Sequence, residues 1–268
     1  MPRPKIATRE MFRSDLKRYM GRNGLFPFFE HYSLDVFKTG DDFENATIDS
    51  NKWIIANGGG ASAASPAVPA TRVVNGAVDL VTGTAGDSTA SSEIDTPLIF
   101  RGDQSPVVLA RFTLSAITSV KVEMGFTDAT ADAGAVAVKA TPTFTATDCA
   151  LWVLDTNDNA NWEGIAANNG DTAPATTVEA GISPTAAAYE WLMVELREYD
   201  TTNNLSAARY RRFDADGGLT YTSAWQTNGT NSNVLLTAWL YVEARNVTSK
   251  TLTLDYFGAW QHRTALTI

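Results

Sequence analysis

Val120-Lys121-Val122-Glu123-Met124-Gly125-Phe126 alternates apolar and non-apolar side chains along a single run. Successive side chains of a strand point to opposite faces, so Val120, Val122, Met124 and Phe126 share one face while Lys121 and Glu123 face away. The same period recurs in Leu192, Val194 and Leu196, set against Glu195 and Arg197. Outward from these two runs, strands are expected at Lys52–Ala56, Ala77–Thr82, Glu93–Phe100, Val107–Leu114, Ser119–Phe126 and Cys149–Asp155. The series continues through Asn161–Ala167, Glu190–Glu198, Leu205–Phe213, Leu219–Trp225, Val234–Ala244 and Lys250–Trp260. Clusters of Gly, Asn, Asp, Ser, Thr and Pro separate them, each suited to turns. Many short strands with turn signals between them predict an all-β, antiparallel sandwich or jelly roll.

Composition agrees and narrows the choices. The chain has 268 residues, enough for one large β domain with a self-sufficient core. An apolar fraction of 44% excludes a disordered chain. No apolar run reaches the length of a membrane-spanning helix, so no membrane partner is expected. A single cysteine, Cys149, rules out an intrachain disulfide and a cysteine zinc site. Two histidines, His31 and His262, are too few for a histidine metal centre. No metal and no cofactor is expected.

The charge is unevenly placed. Residues 1–24 hold Arg3, Lys5, Arg9, Arg13, Lys17, Arg18 and Arg22 against Glu10 and Asp15, a net of +5, leaving −14 on the rest of a chain whose total is −9. A cationic arm on an anionic body is drawn to acidic surfaces, neighbouring copies of that body included. The acidic body itself argues against direct nucleic-acid binding, which needs a basic face. Within the arm, Thr8 can cap a short helix with Phe12 and Leu16 on one face and Gly21 ending it. Leu25-Phe26-Pro27-Phe28-Phe29 follows as an aromatic cluster that calls for burial on the body or in an interface. The start shows no apolar leader region or cleavage site. Residues 1–40 are therefore read as an arm and 41–268 as one sandwich. The connections 58–70, 127–147 and 168–188, rich in Ala, Gly, Ser and Thr, are read as surface loops, with contact to neighbours or to solvent alone left open.

Chemistry-bearing motifs are few. Glu93-Ile94-Asp95 begins a strand pattern that could present paired carboxylates for glycoside hydrolysis, but no second Glu follows and Pro97 breaks the ladder. Neither histidine has a nucleophile-elbow motif nearby. Cys149 lies in an apolar run and reads as a buried small hydrophobe. Asp155-Thr156-Asn157-Asp158-Asn159 begins like a calcium loop, yet Ala160 and Ala166 stand where Gly and Glu are needed, so a polar turn is expected. Arg101-Gly102-Asp103 reads as a turn between strands. Trp239 and Tyr241 share one face of their strand while Leu236, Ala238, Leu240 and Val242 take the other. Apolar residues on both faces require a second cover, which can be a loop, a neighbouring subunit or a glycan stacked on the two rings.

Asp41-Asp42-Phe43-Glu44-Asn45-Ala46-Thr47-Ile48-Asp49-Ser50-Asn51-Lys52-Trp53 resembles the opening of concanavalin A-like lectin/glucanase jelly rolls. Thr251-Leu252-Thr253-Leu254-Asp255-Tyr256-Phe257 resembles their closing strand. Trp162-Glu163-Gly164-Ile165 and Trp191-Leu192-Met193-Val194-Glu195-Leu196 resemble segments of bacteriophage virion proteins with this fold. The resemblance spans residues 41–260 and implies a concanavalin-like jelly roll. It departs from the hydrolytic members in lacking their two-Glu strand. It also implies a non-enzymatic virion component, a decoration or auxiliary protein on the capsid surface, with the major capsid protein or other virion proteins as partners and a homo-oligomer as its form. In that reading Arg3, Lys5, Arg9, Arg13, Lys17, Arg18 and Arg22 dock by charge, and Phe26, Phe28 and Phe29 anchor the arm. The alternative is a carbohydrate-binding module with Trp239 and Tyr241 stacking on a surface glycan. A hydrolase with carboxylates from separate strands stands third.

Overall fold

In a computed structural model of the chain, residues 36–57, 64–69, 76–84, 91–130, 133–169, 176–179 and 181–263 are described. They form two antiparallel sheets packed face to face. The first contains β1 (Val36–Asp41), β3 (Ala64–Ala67), β4 (Val78–Val81), β6 (Val107–Leu114), β13 (Glu190–Asp200), β14 (Leu205–Phe213), β15 (Leu219–Thr222) and β17 (Thr251–His262). The second contains β2 (Ile54–Ala56), β5 (Ser91–Asp95), β7 (Val120–Thr127), β10 (Cys149–Asp155), β11 (Asn159–Ala167), β12 (Thr176–Glu179) and β16 (Thr237–Ala244). A separate two-stranded hairpin, β8 (Val136–Val138) with β9 (Thr143–Phe144), lies between β7 and β10 in sequence.

The strand orders are β15-β14-β13-β6-β17-β4-β3 and β12-β11-β10-β7-β16-β5-β2. Long strand β17 serves two partners on one side, pairing β4 through Thr251–Leu254 and β1 through Phe257–His262. Strand β1 therefore brings Val36–Gly40 into the sandwich, ahead of the boundary at 41 that the sequence suggests. The expected helix and the arm docking residues lie outside the described residues. Among the described residues the helical content is one 3-10 turn, Gly102–Gln104.

The core fills the space between the sheets. Val120, Val122, Met124 and Phe126 of β7 all point into it, as their alternation predicts. Trp152 and Trp162 meet edge-on at 6.5 Å, and the Trp152 indole donates to the Met193 and Arg211 carbonyls of the opposite sheet at 3.1 and 3.2 Å. Trp53, stacked on Phe257 at 5.1 Å, pins the 41–53 segment to the core. Tyr210, buried between the sheets, satisfies its hydroxyl by donating to the Ile165 carbonyl at 2.9 Å.

The strand ends differ from the sequence reading for physical reasons. Strand β5 stops at Asp95 instead of running to Phe100. At Thr96 side chains join the ladder: Thr96 N–H donates to the Ala238 carbonyl at 3.1 Å and to Thr237 Oγ1 at 3.0 Å, and Ala238 N–H donates to Thr96 Oγ1 at 3.0 Å, before Pro97 interrupts the pairing. One bridge, Phe100 to Leu236, resumes the pairing.

Candidate functional site

The face of the second sheet that points away from the core is the most chemically loaded part of the molecule. Residues directly opposite in an antiparallel ladder share a face. Tyr241 of β16 stands opposite both Glu93 of β5 and Glu123 of β7, and Glu123 stands opposite Val153 of β10, itself opposite Glu163 of β11. The next row carries Glu243, Lys121 and Asp155. Asp95 stands opposite Trp239. The face thus gathers carboxylates around two aromatic rings, which stack with centroids 5.8 Å apart and planes 14° off parallel.

This face is not open. Segment 133–148, containing the β8–β9 hairpin, folds onto it. Ala135, Val136 and Ala146 pack with Cys149, Leu151, Val153, Ile165, Trp239 and Tyr241 in one buried cluster, with Phe144 against its side. Trp239 is 0% exposed and Tyr241 1%. The second cover over Trp239 and Tyr241 is a loop of the same chain, one of the three covers the sequence leaves open. The 133–147 part of the connection read as a surface loop lies over this sheet, where its small side chains let it sit close while Val138 stays exposed.

Three charged side chains fasten the hairpin. Glu123 accepts from Ala135 N–H at 2.7 Å and from Val136 N–H at 3.0 Å, one on each carboxylate oxygen. Lys121 pairs with Glu123 at 2.8 Å and donates to the Val136 carbonyl. Lys139, from the hairpin itself, is buried against β11, donating to Asn159 Oδ1 and the Asn161 carbonyl, each at 2.8 Å, and pairing with Glu163 at 3.1 Å. A buried ammonium persists only when its protons are satisfied in this way. Gly134 passes so close that a Cβ there would lie 2.5 Å from Lys121 Nζ and 2.7 Å from Glu123 Oε1.

The remaining groups are held just as firmly. Tyr241 donates to Glu243 Oε2 at 2.9 Å, and burial together with the Glu243 and Glu123 charges pushes its phenol well above the ordinary range. Arg245 bridges Glu243 at 2.8 Å and Asp155, the latter through both of its nitrogens Nε and Nη2. Glu93 and Asp95 are buried beside the rings, so the carboxylates in the Glu93-Ile94-Asp95 run point into this same cluster. Sequence reasoning missed their neighbours Glu123 and Glu243, which come from other strands. Their signal is a charged residue at alternate positions of strands that are otherwise apolar.

Other sequence candidates fall elsewhere. Asp155–Asn159 is the polar turn of the β10–β11 hairpin, with Asn157 N–H donating to Asp155 Oδ1 at 3.1 Å. Arg101-Gly102-Asp103 forms the 3-10 turn, with Arg101 bonded to the largely buried Asp103 at 2.6 Å. Cys149 is buried, and desolvation raises its thiol far above the ordinary value. Arg3, Lys5, Arg9, Arg13, Lys17, Arg18, Arg22, Phe26, Phe28 and Phe29 lie outside the described residues.

No protein-family model and no curated protein matches the chain. Solved structures do. A protein of unknown function from Shewanella oneidensis MR-1 superposes with a TM-score of 0.61 at 13% identity, over 88% of this chain and 91% of that one. Peanut lectin, solved with a nine-residue peptide, gives 0.52 at 12% identity over 87% and 100%. The endo-β-1,4-glucuronan lyase of Trichoderma reesei gives 0.51 at 10% identity over 85% and 96%. The fold is the concanavalin A-like jelly roll. At these identities the likeness extends to the fold alone.

Proposed function

We propose that this chain is a non-catalytic carbohydrate-binding module of lectin type. The observation that carries the reading is the make-up of the face under the hairpin. Two stacked rings, 14° off parallel, supply apolar area, and carboxylates on the neighbouring strands border them as acceptors for hydroxyl groups. Sugar rings need that combination, an apolar platform with a few placed polar groups. Peanut lectin and the glucuronan lyase, alike in fold, support a saccharide ligand. Binding is favoured over hydrolysis because the chain lacks the two-Glu strand of the hydrolytic members it resembles, its Glu93-Ile94-Asp95 run ending at Pro97 with no second Glu. A glycan array probed with the intact chain and with a form lacking the hairpin is expected to give hits. Incubation with mixed polysaccharides is expected to release neither reducing ends nor unsaturated products. Silence of both forms across the array overturns the reading.

A second reading keeps the cationic arm in view. Its net +5 against an anionic body suits attachment to an acidic protein shell, as a decoration protein of a phage head. Arm-dependent co-sedimentation with undecorated shells, lost on deleting residues 1–30, is the expected result. Equal sedimentation of the truncated chain counts against it.

A further inference from the structure

We infer that the 133–148 segment is a displaceable occupant of a neutral-saccharide site, standing where the sugar binds; the inference rests on the carbohydrate-binding reading above. Four observations carry it.

The first is how the segment is attached. β8 and β9 pair with each other and with no strand of either sheet. The ladder beneath is complete without them, since Thr127 pairs with Cys149 and Asp128 N–H donates to the Asp148 carbonyl at 2.9 Å. Lifting the hairpin therefore breaks side-chain fastenings and apolar contacts but no sheet hydrogen bond, which is the pattern of an element that opens below the global unfolding free energy.

The second is what the hairpin does to Glu123. Two consecutive backbone N–H groups reach the two oxygens of one carboxylate. Two adjacent hydroxyls of a pyranose present the same pair of donors. The Val136 carbonyl, which accepts from Lys121, occupies the place of a sugar oxygen.

The third is the floor. Trp239 and Tyr241 stack on each other beneath the hairpin, and the Trp239 indole N–H is buried without an acceptor. Native structures leave few such donors, and an oxygen placed there by a ligand removes the penalty.

The fourth is charge, and it sets the ligand class. Lys121 and Arg245 face Glu93, Glu123, Asp155 and Glu243. Departure of the hairpin takes Lys139 away from Glu163, leaving the face more negative. An acidic face accepts hydroxyl protons and repels carboxylated sugars, so the ligand is an uncharged hexose chain, not a uronate.

The test compares three proteins. In one, residues 129–147 are replaced by Asn-Gly, a two-residue turn suited to joining the paired ends of β7 and β10. In another, Lys139→Met removes one fastening and keeps the length. The intact chain is the reference. Cello-, laminari- and mannohexaose and an oligoglucuronate are titrated calorimetrically into each. The shortened chain is expected to bind a neutral hexaose about tenfold more tightly than the intact chain, as for a site that is closed nine-tenths of the time. Trp239→Leu in the shortened chain is expected to abolish that gain, and the oligoglucuronate is expected to stay unbound. A folded shortened chain whose Trp239 is quenched by acrylamide yet binds no neutral hexaose overturns the inference. Equal glycan binding by the intact and shortened chains, unaffected by Trp239→Leu, overturns it and leaves the carbohydrate-binding reading standing. Failure of every form on the glycan array overturns that reading as well. Should the shortened chain not fold, Lys139→Met carries the comparison: faster hydrogen exchange across 133–148 with tighter hexaose binding supports the inference, and unchanged exchange overturns it.

Discussion

At Gly164 the two sheets touch. A Cβ built there would lie 2.5 Å from the Tyr210 ring, whose hydroxyl is fixed on the Ile165 carbonyl of the same strand. The ring, 0% exposed and edge-on to Trp152, has no room to retreat. Gly164→Ala is therefore expected to cost about 1–3 kcal/mol through overpacking, read as a lower urea midpoint with an unchanged slope. Substitution at Gly181, whose Cβ would meet nothing within 4 Å, isolates the backbone contribution, since its φ of +60° disfavours any side chain. At this scale the sequence was legible on one side only. Alternation in 120–126 told which side chains enter the core, and they do. It could not tell that Lys121 and Glu123, on the other side, are 2% and 0% exposed. Their cover comes from a stretch whose Ala, Thr and Gly carry no period, so nothing local marks it as a lid.

At the scale of elements, legibility followed length and apolar content. Strands β6, β7, β10, β13 and β14 were readable because each sets several apolar side chains at a period of two. Strand β3, with the sequence ASPA, and β12, with TTVE, offer too little apolar surface to announce themselves and persist through pairing to β4 and β11. The carboxylate cluster was half legible for the same reason. Glu93 and Asp95 are neighbours in sequence, whereas Glu123 and Glu243 join them through strand order, which no single sequence prints. One tie between elements has a measurable consequence. Arg245, just beyond β16, reaches Asp155 at the β10–β11 turn with two nitrogens and Glu243 with a third. Its side chain is 10% exposed and its partners 5% and 2%. Removing one member of a buried ion pair strands the other, so Arg245→Ala is expected to cost about 3–5 kcal/mol in urea unfolding. Arg245→Lys is expected to recover little, because an ammonium cannot span both carboxylates in a planar fork.

For the whole molecule, burial of acidic groups sets the response to pH. Asp103, Asp148, Glu190 and Asp255 all have carboxyls raised above their ordinary values, in each case chiefly by desolvation. Opposing pulls exist, as Arg212 at 2.5 Å from Glu190 shows, but burial outweighs them. The folded state therefore holds these protons more tightly than the unfolded chain does. By linkage, the stability each group contributes is fully present below the ordinary values of 3.8 for Asp and 4.5 for Glu and is lost as pH rises through the folded values. The chain's net charge of −9 acts in the same direction, since self-repulsion falls as pH approaches 4.7. Mild acidification from pH 8 to about pH 5.5 is thus expected to raise Tm by a few degrees in scanning calorimetry. Glu190→Gln is expected to flatten that dependence, because it removes one of the four carboxyls whose proton the folded state holds more tightly. A Tm that falls steadily over the same range overturns the prediction.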